Sequence, residues 1–384
     1  MTTHRALLCV VVLLAAVACS GITAQTLFAP APHSPFRAGT EPTDIAAGNV
    51  NGDRHPDLVI ANTGSNDMTV LLGDGHGDFR PAPGSPFAAG KAPHMLALGN
   101  FNGDRHLDAA LTSHDSNSVV VLLGDGRGSF APAPGSPFIF LNTSNPHNHG
   151  VALGDVNGDD HLDITTANQN DASISVLLGD GRSGFALAPG SPFRVGRDPY
   201  PHALGDVNGD GSLDIANPNV RGNSVSVLLG DGKAGFATAP GSPIATLARP
   251  YFTALADVDG NRTLDLLVSH DDTTQFTILL GDGHGGFRPA PGSPMDGGNR
   301  GHRIRVGDVN GDGRADFVTG VNGDAVAVLL GNGRGGFAPA PGAPFAVGRG
   351  PWSVALADLN GDGRPDVASA NSEGNNVTVL LNQR

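Results

Sequence analysis

Residues 49–57 read NVNGDRHPD, and related nine-residue segments recur along the rest of the chain. They share the form D/N-x-D/N-G-D/N-x-x-x-D and begin at Asn49, Asn100, Asp155, Asp206, Asp257, Asp308 and Asp358. Successive copies lie 50 to 55 residues apart in a chain of 384 residues. A regular repeat of this length indicates stacked structural units, because one unit alone cannot bury its apolar face.

A second motif lies between the acidic segments and completes the repeat unit. It reads LLGDG or LLGNG, leads to a phenylalanine and a proline-rich stretch, and begins at Leu71, Leu122, Leu177, Leu228, Leu279 and Leu329. The runs IAAGNV, DLVIAN, MTVLLG and FRPAP of the first unit read as strands, and the Asp-Gly turns are hairpin signals. Four short strands per unit are typical of a propeller blade. We therefore predict an all-β fold, a seven-bladed β-propeller of four-stranded antiparallel blades.

The two ends of the chain complement each other. The last unit stops at VTVLLNQR, so it has a third strand but no fourth. Residues 26–36 read TLFAPAPHSPF and match the missing fourth strand, with Phe28 in the place of Phe79. We predict that the N-terminal strand completes the last blade, which would remove an open sheet edge and its risk of aggregation.

The acidic segments have the donor set of a calcium loop. Ca²⁺ prefers six to eight hard oxygen ligands, which side chains at positions 1, 3, 5 and 9 and the carbonyl at position 7 can supply. Glycine at position 4 permits a sharp turn. The predicted side-chain ligands of up to seven Ca²⁺ ions are Asn49, Asn51, Asp53, Asp57, Asn100, Asn102, Asp104, Asp108, Asp155, Asn157, Asp159, Asp163, Asp206, Asn208, Asp210, Asp214, Asp257, Asp259, Asn261, Asp265, Asp308, Asn310, Asp312, Asp316, Asp358, Asn360, Asp362 and Asp366. The alternative is that these loops are Asx-rich hairpin turns that hold no metal.

The charge of the chain agrees with calcium binding. The predicted ligand sets contain 19 of the 37 acidic residues, and seven Ca²⁺ ions would balance the formal net charge of −14. The same negative charge disfavours nucleic acid as a partner.

Together, the acidic loops and the GDGxGxF and PAPGSPF segments resemble FG-GAP and VCBS repeats over about residues 26–384. The loop DLNGDGRPD at residues 358–366 is similar to the calcium loops in the seven-bladed propeller of integrin α-subunits. The resemblance implies a calcium-binding propeller whose partners bind the face opposite the calcium loops. Similar stand-alone propellers include lectins, and a few lyases and dehydratases use such repeats, so fold and metal are implied more closely than function.

One variable position stands six residues before each acidic loop, on the expected ligand face. It is occupied by Thr43, His94, His149, Tyr200, Tyr251, His302 and Trp352, which include the single Trp and both Tyr residues of the chain. Aromatic faces stack on apolar ring surfaces, while His and Tyr offer hydrogen bonds. We predict that the seven residues converge near the propeller axis and bind ligand. The alternatives are a plug of the central channel, a transition-metal site at the three histidines, and a catalytic site.

Residues 1–24 read as a signal peptide, and residues 25–384 as the propeller domain. Arg5 precedes an apolar run that suits a secretory h-region and is too short to span a bilayer comfortably. Cleavage after Ala24 would give a free secreted chain, whereas cleavage before Cys19 would give a lipoprotein. Both cysteines lie in this segment, and no later apolar run is long enough for a transmembrane segment.

These features favour a secreted or extracytoplasmic, non-catalytic binding module for a glycan or protein ligand, and we expect a monomer. A carbohydrate-active enzyme such as a polysaccharide lyase is the alternative, and it needs a base, an acid and a charge stabiliser in one cleft. Arg303 is the only cation near the variable position, and no acid–base pair stands out. A structural or assembly protein is the third reading.

Overall fold

The computed structural model describes residues 26–140, 147–298, 300–321 and 323–384. Within them the chain forms 35 short strands in seven antiparallel sheets, and two single-turn 3-10 helices, Gln169–Asp171 and Val220–Gly222. Each sheet is one blade, so the predicted seven-bladed propeller is confirmed. No helix in these ranges has the length and apolar character needed to cross a membrane. The predicted signal peptide, residues 1–24, lies outside the described residues.

The blades use their strands in the same order from the axis outwards. The innermost strands are β3 (Pro42–Gly48), β8 (Pro93–Gly99), β13 (Asn148–Gly154), β18 (Ala203–Gly205), β23 (Pro250–Ala256), β28 (Gly301–Gly307) and β33 (Pro351–Ala357). The second strands are β4 (Asp57–Asn62), β9 (Asp108–Ser113), β14 (Asp163–Asn168), β19 (Asp214–Asn219), β24 (Asp265–His270), β29 (Asp316–Val321) and β34 (Asp366–Asn371). The third strands are β5 (Asp67–Gly73), β10 (Ser118–Gly124), β15 (Ser173–Gly179), β20 (Ser224–Gly230), β25 (Gln275–Gly281), β30 (Ala325–Gly331) and β35 (Asn376–Asn382).

The outermost strand of every blade is divided into two short pieces. The first pieces are β1 (Phe28–Pro30), β6 (Phe79–Pro81), β11 (Phe130–Pro132), β16 (Phe185–Leu187), β21 (Phe236–Thr238), β26 (Phe287–Pro289) and β31 (Phe337–Pro339). The second pieces are β2 (Phe36–Arg37), β7 (Phe87–Ala88), β12 (Phe138–Ile139), β17 (Phe193–Arg194), β22 (Ile244–Ala245), β27 (Met295–Asp296) and β32 (Phe345–Ala346). Blades 1 to 6 begin with β3, β8, β13, β18, β23 and β28, and blade 7 consists of β33, β34, β35, β1 and β2.

The proline-rich segment explains the division of the outermost strand. Proline has no amide to donate to a ladder and is therefore confined to edge positions and interruptions. In blade 1 the Ser85 hydroxyl accepts a hydrogen bond from the Val70 amide at 2.9 Å, which satisfies the donor that the interruption leaves. The equivalent serine makes the same bond in blades 2 to 5 and in blade 7.

The N-terminal strands close the ring, as the sequence predicts. β1 and β2 both pair with β35, and Phe28 stands opposite Asn382 just as Phe79 stands opposite Gly73 in blade 1. The amide of Ala31 donates to the carbonyl of Val379 at 2.9 Å. The third strand of blade 7 is therefore covered by a segment from the other end of the chain.

Most of the apolar core lies between neighbouring blades. Between blades 7 and 1, for example, Ile45, Leu58 and Ile60 pack with Val377 and Val379. Every residue of β4 is buried, because its blade is covered on both faces. The innermost strands of adjacent blades also lie against one another, and β33 meets β3 to complete the ring.

Candidate functional site

Each acidic loop joins the first and second strands of its blade at one face of the propeller. In the third loop, the Asp155 carboxylate accepts hydrogen bonds from the amides of Gly158 at 2.7 Å and Asp160 at 2.8 Å. Gly158 has a φ of 77°, which glycine adopts without strain. The Val156 carbonyl accepts a bond from Ala234 of the next blade at 2.9 Å, so the loop also joins neighbouring blades.

The last aspartate of each loop is fully buried and held by two backbone amides. Asp57 accepts bonds from Val50 at 2.8 Å and from Gly73, at the end of the third strand, at 2.9 Å. Burial raises the pKa of Asp57 to about 6, and the nearby Asp53 carboxylate adds to this effect. The same pair of amide bonds recurs in the other six loops. These aspartates thus tie the loop to two strands in addition to their predicted metal ligation.

The loop donors fit a hard cation. In the fifth loop, carboxylate oxygens of Asp257, Asp259 and Asp265 all lie within 4.8 Å of one another, and such oxygens are the donors that Ca²⁺ prefers. In the other loops position 3 is Asn, and its side-chain nitrogen donates to the carboxylate at position 5, as from Asn157 to Asp159 at 2.9 Å. The amide must therefore turn over before its oxygen can face a cation.

The seven residues of the predicted ligand site meet at the opposite face, where the innermost strands begin. We call Thr43, His94, His149, Tyr200, Tyr251, His302 and Trp352 the axial ring. Ring centroids are separated by 5.1 Å for His94–His149, 4.1 Å for His149–Tyr200, 4.8 Å for Tyr200–Tyr251, 5.8 Å for Tyr251–His302, 4.9 Å for His302–Trp352 and 6.5 Å for His94–Trp352. Thr43 occupies the remaining place, and its hydroxyl donates to the His94 carbonyl at 3.1 Å. The predicted convergence near the axis is therefore found.

A β-bulge sets the direction of the ring side chains. In blade 1, Pro42 pairs with Asn62 and Asp44 pairs with Ala61, so Thr43 is an extra residue with no partner in the ladder. The same irregularity leaves the ring residue unpaired in blades 2, 5 and 7. A bulge bends its strand and redirects a side chain, and here it occurs where the strand reaches the ligand face.

The axial ring surrounds a pocket of about 310 Å³. Every ring residue except His302 lines this pocket, and Glu41 and His114 lie at its edge. His302 lines a neighbouring hollow of about 240 Å³ together with Trp352 and Glu373. His94 and His149 are 8% and 3% exposed, whereas the Tyr residues, His302 and Trp352 are half-buried. The ring therefore leaves aromatic surface open to a ligand.

Burial keeps several ring side chains uncharged at neutral pH. Desolvation lowers the pKa of His94 to about 3, and the charge of Arg303 and the neighbouring His114 add to this. Desolvation also lowers the pKa of His149 well below its usual value. Burial raises the pKa of Tyr251, so this phenol stays protonated. These groups act as neutral hydrogen-bonding partners.

A second cavity of about 310 Å³ on the axis contains charged residues that the sequence reasoning did not assign. Asp44 is fully buried, Arg303 is 3% exposed, and the two form an ion pair. The Asp44 carboxylate also accepts bonds from the Leu96 amide at 2.7 Å and the Ser353 hydroxyl at 2.8 Å. Burial alone would raise the pKa of Asp44, but the charges of Arg303 and Arg305 outweigh it and lower this pKa.

A sequence signal for this pair exists in the register of the repeats. Asp44 and Arg303 both stand one position after an axial-ring residue. The other blades have uncharged residues there, namely Met95, Gly150, Pro201, Phe252 and Ser353. An acidic residue in one blade and a basic residue at the equivalent position of another blade, both close to the narrow axis, therefore indicate an ion pair.

The chain belongs to a known family of repeats. The model of the FG-GAP-like repeat matches residues 49–111, 100–166, 155–217, 206–268, 257–319 and 308–369. These matches together span well over half of the chain, so the protein is a member of the FG-GAP-like repeat family. No curated protein matches it.

Two solved structures share this architecture at low sequence identity to the chain. A lectin from Agrocybe aegerita, described as recognising non-reducing terminal N-acetylglucosamine, is 21% identical, with a TM-score of 0.54 over 78% of this chain and 80% of the lectin. The BBS1N chain of a complex with ARL6DN is 12% identical, with a TM-score of 0.61 over 94% of this chain and 98% of its own. At these identities the similarity establishes the fold alone.

Proposed function

We propose that this protein is an extracytoplasmic, calcium-stabilised propeller that binds the end of a glycan in the axial ring. The observation that carries the proposal is the aromatic ring around a pocket of about 310 Å³. Small-molecule pockets range from about 300 to 1,000 Å³. A pocket at the lower end of this range suits one or two sugar units better than the broad surface of a protein partner.

The side chains of the pocket have the chemistry that sugars require. The half-buried faces of Trp352 and Tyr200 offer stacking surface for the C–H face of a pyranose. Phenol and imidazole groups donate and accept hydrogen bonds, and Glu41 at the edge can accept bonds from sugar hydroxyls. The lectin from Agrocybe aegerita supports this proposal, because a protein with this fold is described as recognising a terminal sugar.

Calcium in the acidic loops is the structural part of the proposal. The fifth loop, with Asp257, Asp259 and Asp265 close together, supports it most directly. Bound Ca²⁺ would neutralise clustered carboxylates at the junction of the first two strands. The proposed location outside the cytoplasm rests on the signal-peptide features of residues 1–24 and on the family.

The test is binding to a glycan array by the wild-type protein and by Trp352→Ala. We expect wild-type binding to glycans with a shared terminal sugar, and at least a tenfold weaker affinity in the variant. The unfolding free energy should change by less than about 2 kcal/mol, because a half-buried side chain makes fewer contacts than a core Trp. Ile139→Ala is the matched control, since Ile139 is 76% exposed on an outer strand and does not line the axial-ring pocket.

Two outcomes would contradict the proposal. If Trp352 only plugs the channel, the substitution should cost about 3–5 kcal/mol of stability and leave the affinity for a confirmed ligand unchanged. Cleavage of an array glycan, seen as new unsaturated ends, would instead identify a polysaccharide lyase.

A further inference from the structure

Three histidines from two neighbouring blades meet at the edge of the axial ring. His114 follows β9 in blade 2, His147 precedes β13 in blade 3, and His149 lies within β13. One ring nitrogen of each lies within 4.8 Å of the other two. The ring centroids are 4.0 Å apart for His114–His147, 4.7 Å for His147–His149 and 4.9 Å for His114–His149. We call these residues the three-histidine cluster.

We propose that the three-histidine cluster binds a divalent transition metal ion, with Zn²⁺ as the best match. Three protein nitrogens plus one open position is an established zinc coordination, with Zn–N distances of about 2.0–2.1 Å. Tetrahedral geometry then places the ligand nitrogens about 3.3 Å from each other. The nitrogens in this chain need to approach by at most about 1.5 Å to reach that separation.

The three histidines differ in how firmly the fold holds them, and this difference allows their nitrogens to move closer together. His114 and His147 are partly exposed and stand outside the strands, so their side chains can adjust more than one held within a strand. His149 is only 3% exposed and is fixed within β13. The metal would therefore bind to one rigid ligand and draw in two adjustable ones.

The buried ring of His149 gives independent support. The Gln169 side chain is a polar neighbour of one of its nitrogens, but neither nitrogen makes a hydrogen bond of normal geometry among the described residues, although both are inaccessible to solvent. Buried polar groups are almost always hydrogen-bonded, and an exception needs an explanation. A metal ion at the cluster would supply the missing partner for one nitrogen.

Asp115 is placed to orient the cluster. Its carboxylate lies 2.9 Å from Nδ1 of His114, and Lys91 lies 3.6 Å from its other oxygen. When Nδ1 donates to Asp115, the lone pair of Nε2 is left for a metal. A carboxylate behind a metal-binding histidine is the usual arrangement, and it fixes both tautomer and ring orientation.

This grouping differs from the transition-metal alternative that the sequence suggests at the three ring histidines. Only His149 belongs to both sets, because the described residues place it beside His114 and His147 rather than beside His302. His94 packs against His114 and His149 with centroid distances of 5.1 Å to each. The inference does not depend on glycan binding, since it rests on these side chains alone.

The experiment is a titration of the full chain, purified without a polyhistidine tag, with Co²⁺ in the presence of saturating Ca²⁺. Calcium occupies the oxygen-rich loops, so cobalt reports on nitrogen sites. We expect one equivalent to bind with the visible absorption of tetrahedral cobalt and to be displaced by Zn²⁺. His147→Gln should weaken binding at least tenfold. Asp115→Asn should weaken it about 10- to 100-fold, as is found for outer-shell carboxylates.

His76→Gln is the matched control, because His76 is exposed in a glycine-rich turn on the acidic-loop face. It should bind cobalt like the wild type. His147 is chosen over His149 because it is partly exposed and outside the strands, and a thermal melt of each variant verifies its fold. Absence of a cobalt band in the folded wild type would overturn the proposal. Affinities of His147→Gln and Asp115→Asn equal to that of His76→Gln would overturn it as well.

Discussion

The closure of the ring by residues 26–37 leads to the sharpest prediction, for Phe28→Ala. Phe28 is 3% exposed and packs edge-to-face on Phe345, with centroids 5.4 Å apart and planes at 81°. Truncation of a buried Phe to Ala costs about 3–5 kcal/mol. For a domain of this size that corresponds to a fall of roughly 4–7 °C in melting temperature.

The same substitution should also release the closing segment. Its large buried apolar side chains are Leu27, Phe28 and Phe36. Burial of each contributes about 1.5–3 kcal/mol to the free energy that holds the segment in place. Together they contribute about 5–9 kcal/mol, so Phe28→Ala leaves roughly 2–4 kcal/mol to hold the segment. The conformational entropy gained by a freed segment opposes even this remainder. We therefore expect a measurable population with β35 uncovered.

Hydrogen–deuterium exchange of residues 376–382, together with urea denaturation, measures both effects. Phe130→Ala is the control, because Phe130 holds the same place in blade 2 and packs on Phe87 with centroids 5.8 Å apart. Its strand continues into the chain at both ends and cannot detach. Phe28→Ala should speed exchange in β35 strongly, whereas Phe130→Ala should not. Equal losses of stability with equal protection of β35 would refute the role of the segment as a closing strand.

Three further expectations concern charge and metal. Removal of calcium with EGTA should lower the melting temperature, since each site filled at a hundredfold excess over its dissociation constant adds about 2.7 kcal/mol to the free energy of unfolding. An unchanged melting temperature after verified metal loss would count against structural calcium. Asp44→Asn should cost about 3–5 kcal/mol, because Arg303 is left buried without its counter-charge. Urea denaturation that shows wild-type stability would contradict this. Burial lowers the pKa of His202 to about 4, against an ordinary value of about 6.5. Its neutral form thus contributes stability that is complete above pH 6.5 and is lost as the pH falls towards 4, by about 3 kcal/mol. His202→Gln should therefore lose less stability than the wild type between pH 7 and pH 4, and equal losses would argue against a buried neutral imidazole.

The repeats predict the fold and the axial ring because both depend on register. The residue six positions before each acidic loop occupies the equivalent place in every blade. Aligning the seven repeats therefore locates all seven side chains of the ring. The ends of the chain predict the closure for the same reason, since TLFAPAPHSPF supplies the strand that the last unit lacks. The proline-rich segment alone does not predict that the outer strand is divided. The structure shows this division through the hydrogen bond from the third strand to the serine hydroxyl.

The contacts that register does not predict lie between blades. Asp44 of blade 1 pairs with Arg303 of blade 6, although blade 7 stands between them in the ring. Innermost strands crowd around a narrow axis, so residues two blades apart can touch. The three-histidine cluster is hidden for a related reason, because His114 and His147 lie in segments next to strands of two different blades. Such contacts between blades depend on the closed ring, so the sequence of a single repeat does not predict them.

The two ends of the innermost strand differ in how much their residues vary between blades. One end is the acidic loop, with Gly at position 4 and Asp at position 9 in every copy, and the other end is the variable axial ring. An innermost strand of seven residues spans roughly 23 Å, so substitutions in the ring do not disturb the loops. The described residues contain seven similar acidic loops, whereas six of the seven ring residues line one shared pocket at the ligand face. Thr lies on blade 1, His on blades 2, 3 and 6, Tyr on blades 4 and 5, and Trp on blade 7. An asymmetric wall of this kind suits one ligand in one orientation, so a titration should give one glycan per chain even though the fold repeats seven times.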